Sequence, residues 1–293
     1  MPDVGTRVSL RYRLPAGEVP PLTDVVGRLL ETEPAVLVQT RSGDVVAVDP
    51  ADVVAVRALP EVPVRTGEIR NLEHAAALAW PGTEHRWIEG WFLRRGGATR
   101  RANSAVPLRF TSHSEITAVA QWYADRGAPA LIAAPDRLFR IPPGIPTDAE
   151  NLVMATELGS PQDTPVEITA RPDDRWLQLY QRDVPVEVLT AVVDGEVGFG
   201  TLADAAVGRV AVTEAPDGTR WAGVSAVRVS EDARRRGLAR SLCAGLLHWA
   251  AQRGATRAYV QVLADNTAAR TLYESMGFWT HHRSRYVRAD ALL

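Results

Sequence analysis

Short runs in which apolar and polar residues alternate mark the first sixty residues. Thr6-Arg7-Val8-Ser9-Leu10-Arg11-Tyr12-Arg13-Leu14 alternates polar and apolar throughout, and Val25 to Glu31, Ala35 to Thr40, Asp44 to Val48 and Asp52 to Leu59 continue the pattern. Successive side chains of a strand point to opposite faces, so this period predicts strands, with Glu33-Pro34 and Ser42-Gly43 as turns between them. Short strands at this spacing predict a small SH3-like β-barrel over residues 1–60, and Pro60 to Pro63 reads as a linker.

Helical spacing first enters after the linker. Glu68 to Trp80 carries Ile69, Leu72, Ala76 and Ala79 at intervals of three and four, and stops at Pro81-Gly82. Trp87 to Arg94 and Thr99 to Leu108 read as strands. Ser114 to Arg126 reads as a helix with a Ser-x-x-Thr start and Gly127 at its end, and Ala130 to Ala133 as a short strand. From residue 165 the elements come quickly. Pro165 to Ala170 begins as a strand, Pro172-Asp173-Asp174 opens a helix through Tyr180, and Val184 to Val193 is apolar without a clear period. Glu196 to Ala203, Val207 to Glu214 and Trp221 to Val229 read as three antiparallel strands. A helix from Arg240 to Arg253, a strand from Ala258 to Leu263 and a helix beginning at Asn266 follow.

The connection between Val229 and the helix at Arg240 carries the most chemistry. It reads Ser230-Glu231-Asp232-Ala233-Arg234-Arg235-Arg236-Gly237-Leu238-Ala239. The first amides of a helix have no intrahelical partner, and the helix dipole is positive there. Gly237 lets backbone and ligand approach closely, Ala239 is nearly as small, and three arginines add positive charge. This is an anion cradle suited to a pyrophosphate. It is neither GxxxxGK[ST] nor GxGxxG.

Arg234-x-x-Gly237-x-Ala239 after Val227-x-Val229 resembles the acetyl-CoA signature of the GCN5-related N-acetyltransferases (GNATs), [RQ]-x-x-G-x-[GA]. Asn266-x-x-Ala269-x-x-Leu272-Tyr273-Glu274-x-x-Gly277-Phe278 resembles the next motif of that superfamily. The two occur in order with a strand between them, and the well-matched part runs from about Val197 to Val287. The resemblance implies an α/β fold of the α+β type: a mixed, mostly antiparallel sheet flanked by helices, here preceded by the small barrel. It implies acetyl-CoA as co-substrate, with no metal. Val227 and Val229 would pair with the pantetheine arm. The backbone of Arg235, Arg236, Gly237, Leu238, Ala239 and Arg240, next to Arg234, would hold the pyrophosphate. Asn266 would touch the cofactor, and Tyr273 would protonate the departing thiolate. Residues 165–293 would then be the catalytic domain. Residues 66–150 would supply the acceptor side, either as the front half of one enlarged unit or as a degenerate second acetyltransferase half.

Amide formation needs a neutral amine, and a primary alkyl amine with a pKa of about 10.4 is neutral in roughly one molecule per thousand at pH 7. The strand Trp221 to Val229 has no acidic residue. Glu214, which ends the neighbouring strand, is the first choice of base, and a water relay through backbone carbonyls is the alternative. An N–H of Val229 or its neighbour would face the developing oxyanion. Trp80, Trp87, Trp91 and Trp122 lie in the middle segment, as does Arg100-Arg101-Ala102-Asn103-Ser104. They read mainly as core between two halves, with Asn103 or Glu73 available to orient an amine. The six histidines show no metal-ligand spacing, and the His281-His282 pair falls on a terminal strand.

Composition narrows the setting. The 293 residues carry a formal charge of −2, with 46% hydrophobic and 23% charged residues, an ordinary globular balance without a basic field for nucleic acid. The single cysteine, Cys243, excludes an internal disulfide and falls on an apolar helix face. Without a signal core or an apolar span, a cytoplasmic protein is expected. Abundant Ala, Arg, Val and Pro with few Lys suggest a high-GC bacterial source. The expected partner is an amine acceptor, either a small molecule or a protein lysine; a CoA-sensing module without turnover is the alternative outside enzymes. The N-terminal module would recruit a partner or support a homodimer.

Overall fold

The computed structural model describes residues 1–15, 17–40, 43–59, 64–97, 99–109, 115–159 and 165–293. The expected linker at Pro60 to Pro63, the Ser42 turn position and the Ser114 helix start lie outside the described residues. The chain divides into two units, Met1–Pro63 and Val64–Leu293.

The first unit contains β1 (Arg7–Arg13), β2 (Leu22–Glu31), β3 (Val36–Thr40), β4 (Val45–Val48) and β5 (Val53–Ala58). Alternate positions are buried, as the period of two requires: Val8 and Leu10, Val25 and Leu29, Val36 and Val38, with Val48, form the core. The order is β4-β3-β2-β1-β5, all antiparallel. β4 and β5 do not pair, which corrects the barrel expectation: the sheet stays open. β4 has only four residues and β5 buries none of its side chains fully, so the ends offer little to close upon.

The second unit runs α1 (Thr66–Ala79), β6 (Glu84–Ile88), β7 (Trp91–Arg95), β8 (Ala105–Pro107), α2 (Ile116–Ala124), β9 (Leu131–Pro135) and β10 (Asp148–Glu157). It continues with β11 (Glu167–Thr169), α3 (Asp174–Tyr180), α4 (Val186–Thr190), β12 (Gly195–Leu202), β13 (Ala206–Glu214) and β14 (Arg220–Val229). It ends with α5 (Leu238–Ala251), β15 (Arg257–Leu263), α6 (Thr267–Ser275) and β16 (Trp279–Arg288). Eleven strands form one sheet in the order β11-β12-β13-β14-β15-β10-β16-β9-β8-β7-β6. Only β14/β15 and β8/β9 are parallel pairs.

Three elements differ from expectation. Trp87 to Arg94 is not one strand: the chain reverses at Glu89-Gly90, with Glu89 at φ +48°, giving the β6/β7 hairpin. Thr99 to Leu108 is not one strand: a 3-10 turn at Arg101–Asn103 precedes the three residues of β8. β10, central in the sheet, has no predicted counterpart. Leu152, Val153, Met154 and Ala155 are all buried, so the strand has no alternation to betray it.

Helices cover both faces of this sheet. On one, α1 packs Leu72, Ala75 and Ala76 on Val153, Ala155, Trp221 and Tyr259. On the other, α5 lays Leu242 and Leu246 over β12 and β13. Gly200 and Gly208 face each other there. A Cβ on either would lie 2.8 or 2.9 Å from a Leu246 methyl, so both glycines let α5 lie close to the sheet.

Candidate active site

β14 and β15 are paired only from Trp221↔Arg257 to Val224↔Val260. Beyond that point β14 stays with β13 and β15 stays with β10, so the two strands part within the sheet. The divergence begins at a bulge: Ser225 faces Arg209 and Arg228 faces Val207, leaving Ala226 and Val227 opposite Gly208. Ala226 takes φ +55°, which a non-glycine residue adopts at a cost. The Gly208 carbonyl accepts from Trp176 Nε1 of α3 at 3.4 Å, tying the bulge to the face that carries α1.

The chain leaves Val229 through a 3-10 turn at Glu231–Ala233 and turns again at Arg235 (φ +62°) and Gly237 (φ +79°) before α5. Gly237 stands at the N-cap and supplies no side-chain cap. Among the described residues nothing accepts from the amides of residues 235–240; Ser241 is the first to bond back, to the Gly237 carbonyl at 3.1 Å. A Cβ on Gly237 would meet nothing within 4 Å, so the space before the helix is open. Arg234 pairs with Glu231 at 3.3 Å and Arg240 donates to Ser275 Oγ at 2.8 Å; Arg235 and Arg236 are exposed.

Tyr273 on α6 is buried against Phe278, in the same apolar cluster as Cys243 of α5. Burial holds the Tyr273 phenol well above its ordinary value and pushes Cys243 up to about 12. The thiol is thus a neutral packing group. Asn266 caps α6, its Oδ1 accepting from the Ala269 amide at 3.1 Å. Val227 and Val229 pack toward α5, beside the opening. Val227, Val229, Leu238 and Tyr273 thus belong to one apolar cluster, with Asn266 heading the helix that bears the tyrosine. Glu214 is not with them. It sits opposite Arg220 at the far end of β13, about 20 Å of strand from the bulge.

A second polar cluster occupies the α1 face. Glu73 of α1, 5% exposed, lies 2.8 Å from His282 Nε2, and His282 Nδ1 lies 2.8 Å from His281 Nδ1. His281 is the extra residue of a β16 bulge, between Thr280↔Met154 and His282↔Val153. Burial and the neighbouring His282 charge lower His281 to about 3, so it stays neutral. Arg94 donates to the carbonyl and hydroxyl of Ser104, and Arg209 to the carbonyls of Leu189, Ala79 and Ala191; both are fully buried. Burial drives Arg209 down to about 9 and Tyr259 up to about 12. Asn103 bonds only to its own loop, at Gly96, Gly97 and Thr99, and is a loop staple. Trp91 and Trp122 are core, whereas Trp80 lies beneath the guanidinium of Arg209 at 4.4 Å and that of Arg101 at 5.7 Å. Sequence reasoning missed the Glu73–His282 pair because the two residues are 209 positions apart. The adjacent histidines on an otherwise regular strand were the only signal.

An open pair of parallel strands, a bulge at the opening, an amide-lined turn and a tyrosine helix together define the acyl-transferring GNAT fold. The chain is 48% identical over 295 residues to a Mycobacterium tuberculosis protein named "Probable histone acetyltransferase Rv0428c", covering 99% of this chain and 97% of that one. It is 23% identical to an uncharacterized N-acetyltransferase, YobR, of Bacillus subtilis, over 72% of this chain and 94% of that one. A GCN5-related N-acetyltransferase from Kribbella flavida superposes with a TM-score of 0.50 at 14% identity, covering 78% of this chain and 96% of the other. A GNAT-family acetyltransferase from Novosphingobium aromaticivorans gives 0.50 at 19%, over 73% and 95%. Residues 66–287 match the family described as "Probable histone acetyltransferase Rv0428c C-terminal", and residues 2–57 the "Rv0428c N-terminal Sm-like domain". The chain belongs to this Rv0428c family and is a GNAT-type N-acetyltransferase with a small N-terminal β module.

Proposed function

We propose that this protein moves the acetyl group of acetyl-CoA to a primary amine of a small molecule, at the opening between β14 and β15. The observation that carries the proposal is the parting of those strands beside amides 235–240, which have no acceptor among the described residues. A pyrophosphate fits there on three counts: free donors, a helix N-terminus and open space before Gly237. Bound acetyl-CoA supplies an activated acyl group and a thiol leaving group. The bulge at Ala226 and Val227 then aims backbone N–H groups at the acyl oxygen as it gains charge. Tyr273, protonated throughout the working pH range, donates to the departing sulfur. Glu73 takes the amine proton, because it is the one buried carboxylate among the described residues, with His282 Nε2 held 2.8 Å from it.

The test is calorimetric titration with acetyl-CoA. Gly237→Glu places a carboxylate in the pyrophosphate space and forces φ +79° on a residue with a Cβ; binding should vanish. Arg235→Ala should weaken it only severalfold, since the amides do the holding. Unchanged affinity in the Gly237 variant overturns the proposal. The name of the Mycobacterium tuberculosis relative favours a second reading, a protein lysine as acceptor. Acetylation of a lysine peptide, measured beside free amines, separates the two.

A further inference from the structure

Three polar side chains flank the point where β14 and β15 part, and none has a hydrogen-bond partner among the described residues. The last bonded pair of those strands is Val224↔Val260, so Ser225 and Gln261 are the first residues on the two sides of the opening. Ser225 Oγ is shut off from solvent and yet unbonded. Arg209, opposite it on β13, gives its guanidinium to the carbonyls of Leu189, Ala79 and Ala191 instead. The amide of Gln261 and the hydroxyl of Tyr259, a residue only 5% exposed, are likewise without a partner among the described residues. A buried hydroxyl left unbonded costs stability, and a native fold keeps one where a ligand or a water completes it.

All three lie on the α1 face. Tyr259 and Trp221 pack under α1 with Val153, the cross-strand neighbour of Gln261, whereas Val224 and Val260 belong to the α5 side. Alternation then puts Ser225 on the same face as Trp221 and Gly223. The Tyr259 ring reaches over β14, because a Cβ on Gly223 would lie 2.3 Å from its hydroxyl oxygen. Ser225 follows Gly223 on that face after about 7 Å of strand, a gap that one nitrogen making two hydrogen bonds of about 2.8 Å bridges. Val153 also faces His282, so Gln261 stands in the same row of the sheet as the Glu73–His282 pair. The three groups are neutral: a hydroxyl, an amide and a phenol that burial keeps protonated. Neutral acceptors match an uncharged primary amine, which brings two N–H donors and one lone pair. We infer that Ser225, Gln261 and Tyr259 seat the acceptor nitrogen, which donates its two N–H groups to Ser225 Oγ and Gln261 Oε1 and keeps its lone pair for the acyl carbon. This rests on the acetyl-transfer reading above and selects primary over secondary amines, since an N-methyl group leaves only one N–H to donate.

The test has two arms, both on the full chain. A crystal structure with CoA, grown with and without n-propylamine, should show a water or the amine within hydrogen-bond distance of Ser225 Oγ and of Gln261 or Tyr259. Turnover with acetyl-CoA is measured on primary amines against their N-methyl counterparts, and the primary member should be favoured about 10- to 100-fold in kcat/KM. Ser225→Ala and the near-isosteric Gln261→Met should each lower kcat/KM for the primary amine about 10-fold and shrink that preference, while the KM for acetyl-CoA holds. The urea midpoint of Ser225→Ala should stay the same or rise, because a hydroxyl without a partner in the fold stabilises nothing. Empty density beside Ser225 Oγ, a preference for primary amines that survives both substitutions, or a loss of stability in place of a loss of rate overturns the inference. Density at the seat without turnover of any amine upholds the seat and counts against acetyl transfer instead. Turnover that is indifferent to Ser225 and Gln261 does the reverse.

Discussion

Acidification should weaken the catalytic unit through one residue, His281. Its ring is 3% exposed, stacked on Trp279 with centroids 5.4 Å apart and set edge-on to Trp221. The charges that face it are those of His282, Arg257 and Arg137, with the Glu73 carboxylate one ring further on. Burial first, and those cations second, lower it from 6.5 to about 3. The folded state therefore binds its proton less readily than the unfolded chain. Stability from this group is fully present above pH 6.5 and is lost as pH falls from 6.5 toward 3. Each pH unit in that window costs about 1.4 kcal/mol, so moving from pH 7.5 to pH 5 removes about 2 kcal/mol. For a unit of this size that lowers Tm by about 4–8 °C. Urea unfolding followed by tryptophan fluorescence at several pH values reads the slope, and His281→Gln supplies the comparison. The variant should start less stable at pH 7.5, with a buried hydrogen bond disturbed, yet lose about 2 kcal/mol less on going to pH 5. Parallel slopes for wild type and variant would refute the reasoning.

Two further outcomes follow from the site. Tyr273→Phe should lower kcat about 10- to 100-fold while acetyl-CoA affinity holds, as single-turnover rates and calorimetry would show; an unchanged kcat where chemistry limits makes the tyrosine a packing residue. Arg209→Met, which orphans the carbonyls of Leu189, Ala79 and Ala191 and empties the face of Trp80, should destabilise the unit by about 3–5 kcal/mol in urea titration, and a loss under 1 kcal/mol would contradict the role given to this buried cation.

What the sequence made legible was local. The turn from Arg234 to Gly237 is contiguous and announces itself by charge, a glycine and a following helix. The cap at Asn266 and the helix after Asp173 are likewise signalled by residues within one turn. The hairpin at Glu89-Gly90 was hidden because Trp87, Ile88, Trp91, Phe92 and Leu93 keep an apolar run on both sides of a two-residue reversal. β10 was hidden by burial on both faces. The bulge at Ala226 leaves no mark in composition, since Ala is an ordinary strand neighbour; it follows from how β13 and β14 pair. Glu214 follows the bulge closely in sequence, yet the direction of β13 carries it to the far end of that strand, and Glu73 meets His282 because α1 crosses the sheet.

The order of the sheet interleaves residues 66–150 with residues 165–293. Outward from its middle pair, β10 and β16, each side runs through an antiparallel contact, then a parallel pair, then antiparallel strands: β15, β14, β13, β12 on one side and β9, β8, β7, β6 on the other. In each half a helix joins the two parallel strands, α5 in one and α2 in the other. Yet β10, which follows β9 in sequence, pairs with β15, and β16, which follows β15 and α6, pairs with β9. Each half is thus completed by a strand that follows the other half's parallel pair in sequence. The histidines sit on one of these crossing strands, and Glu73 sits on the helix that opens the unit. The Glu73–His282 pair on the α1 face is consequently built from both ends of residues 64–293.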